Sequence, residues 1–288
     1  VLGEMGVLYA KLGKTQKSED CYMQSIQLTR EIGDKKQEGI NLGNLGTLYL
    51  RLCQYEQASS CLQLSVNIAK KVGNKRNEGI NLGNLGTVCR NIGQYEKSIE
   101  HFTKSLSIAQ KIGNKKNEYM QYGNLGGSYL TIGQYDESIR LLQKAITLSE
   151  EIENYMMANV FLSNLGSAYR RKGQYSEAMK CFQKVILVSR TNGHIRGEGI
   201  NLGNLGIVLY QIDAYKEAKI YLQKAIDICS KHMKVGAGAF QGILALISAK
   251  ENDFDTAFSL LQQGEFNVSQ NPEEYGKFLC AKAEILFL

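Results

Sequence analysis

Histidine and cysteine are the residue types in this chain that could bind a metal ion or attack a substrate. There are three histidines, His101, His194 and His232, and seven cysteines. No two cysteines have the Cys-x-x-Cys spacing of a zinc ribbon or a thioredoxin-type site, and no set of His, Cys or Asp recurs with catalytic spacing. The glycine-rich runs do not follow a strand pattern, so they are not phosphate-binding loops. The sequence therefore predicts a protein that is not an enzyme and that needs no metal or cofactor.

The composition is that of a folded protein without a membrane span. Of the 288 residues, 43% are apolar and 22% are charged, and 34 Lys and Arg against 28 Asp and Glu give a net charge of +6. This apolar content is enough to form a core, which excludes disorder over most of the chain. No apolar run approaches the roughly 18 residues of a membrane-spanning helix. The first residues lack a secretion signal and an initiator Met, so we expect a piece of a longer, cytoplasmic protein.

An internal repeat of 40 residues organises the chain. The octapeptide Gly-Ile-Asn-Leu-Gly-Asn-Leu-Gly occupies 39–46, 79–86 and 199–206, and related segments stand at 122–126 and 162–166. We predict a single array of seven repeats followed by the first helix of an eighth repeat at 273–288. The predicted repeats are 1–40, 41–80, 81–120, 121–160, 161–200, 201–240 and 241–272.

Each repeat has the pattern of two helices. Leu42, Leu45 and Leu48 recur at three- and four-residue steps, and a second apolar stripe follows after a short turn. Glycines such as Gly73 mark the helix ends, and Asp34 is placed to cap the next helix. The single proline of the chain agrees with long helices.

Small residues recur at two helical positions. Glycine stands at the position of Gly46 and Ala or Ser at the position of Ala58, so we expect two helices to cross there at close range. Cys21, Cys61 and Cys181 share another position, which indicates a packing role. Free buried cysteine behaves as a small apolar residue, and this use of cysteine favours a reducing compartment.

The order of residues in each repeat resembles the tetratricopeptide repeat family. In the fifth repeat it reads Asn164-Leu165-Gly166, Tyr169, Gly173-Gln174-Tyr175, Ala178 and Phe182. The 40-residue period resembles the longer-helix subclass of LGN/Pins-type cell-polarity adaptors and, more loosely, kinesin light chains. The resemblance implies an all-α, right-handed superhelical solenoid of antiparallel helix pairs whose first helices line a concave groove. It also implies a protein-interaction scaffold that binds an extended peptide or a partner helix there.

Helix geometry predicts which residues face the groove. In the second repeat they are Ile40, Gly43, Thr47, Leu50 and Arg51, and the 40-residue step gives the others. Because Gly and Ser recur at the second and third of these positions, we expect a low floor that a ligand backbone can approach. An asparagine ladder beside the floor can pair with a peptide main chain or with the neighbouring helix. The candidate peptide-binding residues are Asn44, Thr47, Arg51, Asn84, Thr87, Arg90, Asn124, Asn164, Arg170, Arg171, Asn204 and Tyr210.

The predicted groove is basic. Four of these candidates are arginines, and no Asp or Glu stands at the groove positions of repeats two to six. We therefore expect an acidic or phosphorylated extended peptide, held by the arginines through its carboxylates. The alternative is that these are scattered arginines that only keep the protein soluble.

A second basic stripe lies at the inter-repeat loops, where phosphates or lipid headgroups could dock. It comprises Lys35-Lys36, Lys75-Arg76, Lys115-Lys116 and Arg196.

Two further partners or modes of action follow from the pattern. Helical repeats that read RNA need stacking aromatic residues, and the groove has essentially only Tyr210, so we expect no nucleic-acid partner. Regulation in cis of a flanking signalling domain is the main alternative. It is favoured because neither end shows a polar capping helix, and because 275–284 look like the tail of repeat arrays attached to bacterial kinases and cyclases. Such ends would also permit end-to-end stacking of copies.

Overall fold

The computed structural model describes residues 1–269 and 271–287, and all the regular structure in them is α-helical, which confirms the all-α prediction. Within that part of the chain no helix is long and apolar enough to cross a membrane. The helices are α1 (Leu2–Lys11), α2 (Thr15–Glu31), α3 (Lys35–Arg51), α4 (Tyr55–Lys71), α5 (Lys75–Asn91), α6 (Tyr95–Lys111), α7 (Lys115–Thr131), α8 (Tyr135–Glu151), α9 (Tyr155–Arg171), α10 (Tyr175–Thr191), α11 (Ile195–Gln211), α12 (Tyr215–His232), α13 (Lys234–Lys250), α14 (Phe254–Val268) and α15 (Pro272–Leu286).

The helices form antiparallel pairs, as short connections between long helices require. The odd-numbered helices are the first helices of the pairs and the even-numbered helices are the second helices. By its contacts the chain divides into two compact units, a first unit of Val1–Ala158 and a second unit of Asn159–Leu288. The predicted single array and its repeat boundaries stay predictions.

First helices lie on the inner side of each unit. In the first unit α3 contacts both α1 and α5, and α5 contacts α7, whereas no two second helices of residues 1–158 contact each other. In the second unit α13 contacts both α11 and α15. A stack whose first helices touch and whose second helices do not must curve with the first helices inside, so their exposed stripes form a concave face.

Helix ends use a left-handed residue, which explains eight of the 29 glycines. Eight turn glycines, Gly73 and Gly113 among them, have φ between 66° and 83°. Glycine adopts this conformation without the steric cost that a Cβ brings. The capping prediction for Asp34 is also confirmed, because its carboxylate accepts a hydrogen bond from the Gln37 backbone N–H at 2.9 Å.

Four non-glycine residues hold the same strained turn conformation, and one of them offers a stability test. Glu153 has φ 59°. Because a Cβ in the left-handed region costs about 1–2 kcal/mol, Glu153→Gly is expected to raise the free energy of unfolding by about 1 kcal/mol. Urea denaturation measures the change, and the reverse substitution at an equivalent turn, Gly113→Glu, is the matched control that should lower stability. A Glu153→Gly variant less stable than wild type would contradict this explanation.

The close helix crossing predicted at the Gly46 position is confirmed. A Cβ on Gly46 would lie 2.7 Å from Leu62 Cγ, and a Cβ on Gly86 would lie 2.6 Å from the ring of Phe102. Leu62 and Phe102 are both completely buried. The missing side chain therefore lets a large apolar residue of the second helix seat directly on the backbone of the first, and the packing gained offsets the low helix propensity of glycine.

Candidate functional site

The structure places all twelve candidate residues on first helices. Arg51 and Arg171 are exposed and the other ten are half-buried. In the first unit, α3, α5 and α7 contact in sequence, which brings one set together. That set is Asn44, Thr47, Arg51, Asn84, Thr87, Arg90 and Asn124. The set in the second unit is Asn164, Arg170, Arg171, Asn204 and Tyr210. Their role in binding stays a prediction.

Some side chains of the asparagine ladder form hydrogen bonds within the protein. The ladder consists of Asn44, Asn84, Asn124, Asn164 and Asn204. Asn84 Nδ2 donates to Thr47 Oγ1 at 3.0 Å, a bond between α5 and α3, and Asn124 Nδ2 donates to Gln121 Oε1 at 3.5 Å. Thr47 Oγ1 in turn donates to the Gly43 carbonyl at 2.8 Å. Among the described residues no donor reaches the side-chain oxygen of Asn84, so this half-buried amide retains an acceptor that a ligand N–H can use.

The low glycine floor predicted at the Gly43 position is wrong. A Cβ on Gly43 would lie 2.7 Å from Asn81 Nδ2, and a Cβ on Gly83 would lie 2.8 Å from Gln121 Nε2. Each of these glycines is thus covered by an amide side chain of the next first helix. Glycine here admits a neighbouring helix of the protein, and a ligand backbone has no access to it.

Two buried asparagines of the first helices, Asn41 and Asn81, were not predicted as structural residues. Asn81 is 2% exposed, and its Nδ2 donates to Ser65 Oγ at 2.8 Å, while Asn41 Nδ2 donates to Ser25 Oγ at 2.7 Å. A signal was present in the sequence, because each serine precedes its asparagine by sixteen residues. Buried amides need partners, and this pairing supplies one for each of the two asparagines.

An open part of the inner face lies at Gly127. A Cβ added there would approach only Arg90 Nη1, at 3.6 Å. The guanidinium of Arg90 lies 5.6 Å from the centroid of the Phe102 ring. Burial alone lowers the pKa of Arg90, and no carboxylate or hydrogen-bond acceptor among the described residues pairs with it. Arg90 is therefore a partly desolvated cation that lacks a counter-ion within the described part of the chain.

The predicted second basic stripe divides into two classes of cation. Lys35, Lys75 and Lys115 begin first helices and pair with a glutamate three residues later, at distances of 2.8, 2.9 and 3.5 Å. Lys36 and its equivalents Arg76 and Lys116 are exposed, and no described carboxylate lies within ion-pair distance of them. Arg196 differs again, because its Nε contacts Met233 Sδ at 3.1 Å.

The buried glutamate of this stripe predicts a pH dependence of stability. Burial alone would raise the pKa of Glu38, but hydrogen bonds from Arg30 Nε at 2.7 Å and Lys35 Nζ at 2.8 Å outweigh it, so the pKa lies below its usual value. The contribution of Glu38 is therefore complete above its unfolded pKa of about 4.3 and is lost as the pH falls through the lower folded pKa.

Glu38→Gln is expected to lower the free energy of unfolding by about 1 kcal/mol at pH 7, because it removes the charge that pairs with Arg30 and Lys35. The effect is no larger because both cations are more than half exposed and solvent screens them. The difference from wild type should shrink below about pH 4. Urea denaturation at several pH values measures it, and exposed Glu31→Gln is the control. An unchanged difference at pH 3 would contradict the lowered pKa.

In the second unit the aromatic candidate Tyr210 already has a cationic neighbour. Lys250 Nζ lies 5.4 Å from the centroid of the Tyr210 ring and 5.9 Å from that of Tyr215. Burial raises the pKa of Tyr210. Arg170 Nη1 donates to Gln211 Oε1 at 3.5 Å. Tyr210 and Arg170 are thus both engaged within the second unit.

Four of the seven cysteines have the surroundings of packing residues, whereas Cys61 is half-buried and Cys53 and Cys280 are exposed. All seven are free thiols, and Cys21, Cys89, Cys181 and Cys229 are buried. Burial raises the pKa of Cys181 and of Cys229 to about 11, which opposes thiolate formation. Among the described residues no group of three or more His, Cys, Asp and Glu could hold a metal ion.

Comparisons with known proteins agree with the helix pairs described above. The model of the tetratricopeptide repeat family matches residues 1–71, 77–151 and 156–231. No curated protein has a significant match to the sequence.

Solved structures with a similar fold include the following three. The apo form of RapI is 13% identical, with a TM-score of 0.78 over 94% of this chain and 98% of RapI. A signal-transduction ATPase with numerous domains and a tetratricopeptide repeat sensor, from Pyrococcus horikoshii, is 16% identical, with a TM-score of 0.79 over 98% of this chain and 43% of the ATPase. NprR in complex with its cognate peptide NprX is 18% identical, with a TM-score of 0.63 over 99% of this chain and 81% of NprR. Identities this low demonstrate a shared fold only.

Proposed function

The chain belongs to the tetratricopeptide repeat family, and from that premise we propose that it is a non-catalytic interaction scaffold that binds an extended, acidic peptide on its first helices. The concave face formed by α3, α5 and α7 receives the peptide in the first unit. The corresponding residues of α9 and α11 offer a second set of contacts in the second unit. The partner is a protein or peptide segment.

Arg90 carries this proposal. Its guanidinium is partly desolvated and has no described counter-ion, and its neighbour Gly127 leaves open space beside it. Desolvating a charge without a partner costs free energy, which an incoming carboxylate or phosphate recovers through charge-assisted hydrogen bonds. The site therefore favours an anionic group at this position over a neutral one.

The asparagines supply contacts to the peptide main chain. Asn44 and Asn124 are half-buried on the inner face, and Asn84 retains an acceptor oxygen there. A side-chain amide offers both a donor and acceptors, so it can pair with the backbone of any peptide sequence. The arginines then provide the preference for acidic residues. Peptide binding on the same fold is supported by the NprR complex with NprX.

The experiment that tests this function is a display selection of random peptides on the purified chain at low and high salt, with an Arg90→Glu, Arg170→Glu double variant alongside. We expect wild type to enrich acidic peptides, less strongly at high salt, and the double variant to lose them. Salt screens exposed charges, so the salt dependence identifies the electrostatic part of binding. Equal enrichment by wild type and the double variant would refute the acidic-peptide assignment.

Regulation in cis remains a second candidate function. It is supported by the fold similarity to the P. horikoshii ATPase, in which a tetratricopeptide repeat sensor is one part of a much longer protein. An array of this kind acts on a neighbouring domain and needs no free peptide. It therefore predicts that the selection on the isolated chain yields no enriched sequence, the opposite of the outcome expected for the scaffold.

A further inference from the structure

Three chemically distinct rows cross the inner face of the first unit. Positions 36, 40 and 44 of α3 are four residues apart, so they lie along one stripe of the helix, about 6 Å between successive positions. The same stripe recurs on α5 and α7. The first row is cationic, the second aliphatic and the third carries amides. Their members are Lys36, Arg76 and Lys116; Ile40, Ile80 and Met120; and Asn44, Asn84 and Asn124.

The aliphatic row is open to solvent. Ile80 is 39% exposed and Met120 is 38% exposed, and Ile40 is half-buried. The three apolar side chains line up across successive first helices, between the row of cations and the row of amides. The row can bury the apolar side chains of a ligand that crosses the helices.

The cationic row is available to acidic groups. Lys36, Arg76 and Lys116 are exposed without a described counter-ion, because Glu38 and its equivalents are buried on the opposite side and pair with the preceding lysines. The amino-terminal ends of α3, α5 and α7 lie at the same edge. Their partial positive charges add to the attraction for carboxylates.

The distance between neighbouring first helices determines how far apart the ligand side chains must be to contact successive helices. The hydrogen bond from Asn84 to Thr47 shows that α5 and α3 are directly packed, and helices in such contact have axes about 8–10 Å apart. A polyproline II segment has three residues per turn and rises about 3.1 Å per residue, so every third side chain advances about 9 Å. Same-face residues of a β-strand advance only about 7 Å, and an α-helix advances about 5.4 Å per turn.

We propose that the ligand of the first unit is an extended, polyproline-II-like segment with an aliphatic side chain at every third residue and an acidic side chain next to it. The aliphatic side chains contact Ile40, Ile80 and Met120 in turn. The acidic side chains reach Lys36, Arg76 and Lys116. This inference rests on the proposed function and adds to it a sequence period and a residue class for each row. It also adds a second set of anionic contacts, because Arg76 lies about 21 Å along α5 from Arg90.

Synthetic peptides test the period directly. We would measure binding to the whole chain, by fluorescence anisotropy, of labelled peptides made of five Leu-Glu-Ser triplets or five Leu-Ser-Glu triplets. The comparison peptide has the same composition in an order without a triplet period. One of the two triplet peptides should bind about tenfold more tightly than the comparison peptide, since each aligned leucine buries apolar surface that a misaligned one does not. Replacing serine by proline, which favours the polyproline II conformation, should tighten binding further.

Two sets of variants assign the rows. An Ile80→Ser, Met120→Ser variant should lose the preference for the triplet order, and a Lys36→Glu, Arg76→Glu, Lys116→Glu variant should bind the triplet peptide at least tenfold more weakly. All these positions are surface positions, and circular dichroism checks that the fold is kept. The matched controls on second helices are Leu64→Ser, which is 48% exposed, and the exposed Lys97→Glu. They should bind like wild type.

The outcomes separate this inference from the proposed function. If acidic peptides bind and the Arg90→Glu variant releases them, but triplet and shuffled peptides bind equally, the triplet inference is wrong and the proposed function stands. Row variants that bind the triplet peptide as wild type does would also overturn the inference. If no acidic peptide binds the chain at all, the proposed function fails and the inference fails with it.

Discussion

Replacing Phe102 by alanine is expected to lower the free energy of unfolding by about 3–5 kcal/mol, the usual loss for a large aromatic core residue. Phe102 is completely buried, and its ring fills the space left by the missing side chain of Gly86. Removing the ring leaves a cavity between α5 and α6, the two helices of one pair. Urea denaturation measures the loss of stability, and amide hydrogen exchange should show that α5 and α6 lose most protection.

A double-mutant cycle shows whether the close crossing is the cause. Gly86→Ala alone places a Cβ against the Phe102 ring and should destabilise the protein by about 1–3 kcal/mol, the usual effect of overpacking. In the Phe102→Ala background the same change should be neutral or stabilising, because the clash is gone and alanine is the better helix former. Thr103→Ala, at an exposed neighbour on α6, is the control. A loss below about 1 kcal/mol for Phe102→Ala would contradict this account of the crossing.

Arg90→Glu is expected to weaken binding of an acidic peptide by about 100-fold or more. Reversing the charge removes a desolvated hydrogen-bonding cation and places a carboxylate opposite the ligand's own, and losses of about 2–5 kcal/mol are typical for such pairs. Anisotropy titration of the tightest selected acidic peptide at several salt concentrations measures the change. The dependence of affinity on salt should also become weaker than in wild type.

Conservative variants distinguish charge from geometry at this position. Arg90→Lys keeps the charge but loses the planar fork that binds a carboxylate through two hydrogen bonds, so its affinity should lie between those of wild type and Arg90→Glu. Gly127→Thr introduces the residue found at the equivalent positions 47 and 87 and fills the space beside Arg90. It should weaken binding while leaving the fold intact. Wild-type affinity in both Arg90 variants would exclude Arg90 from the site.

Much of the local structure could be predicted from the sequence, because it depends on residues within one helix pair. The 40-residue period, the cap at Asp34 and the turn glycines each follow from nearest-neighbour chemistry, and the structure confirms the caps and turns. The crossing at Gly46 was also predictable, since small residues recur on both helices of every pair. Helix geometry also predicts which stripe of each first helix faces the groove, and that assignment stays a prediction.

Contacts between residues about 40 apart were decided by the tertiary structure. The covering of Gly43 by Asn81 depends on how closely two first helices approach, and periodicity places both residues on plausible faces without giving that distance. Likewise, the pair Lys35-Lys36 does not show which lysine pairs with Glu38, because that depends on where the helix begins. The sequence thus determined the helix pairs, their caps and their turns. Only the packing of successive first helices decided which polar side chains bond to other residues of the protein and which have no described partner.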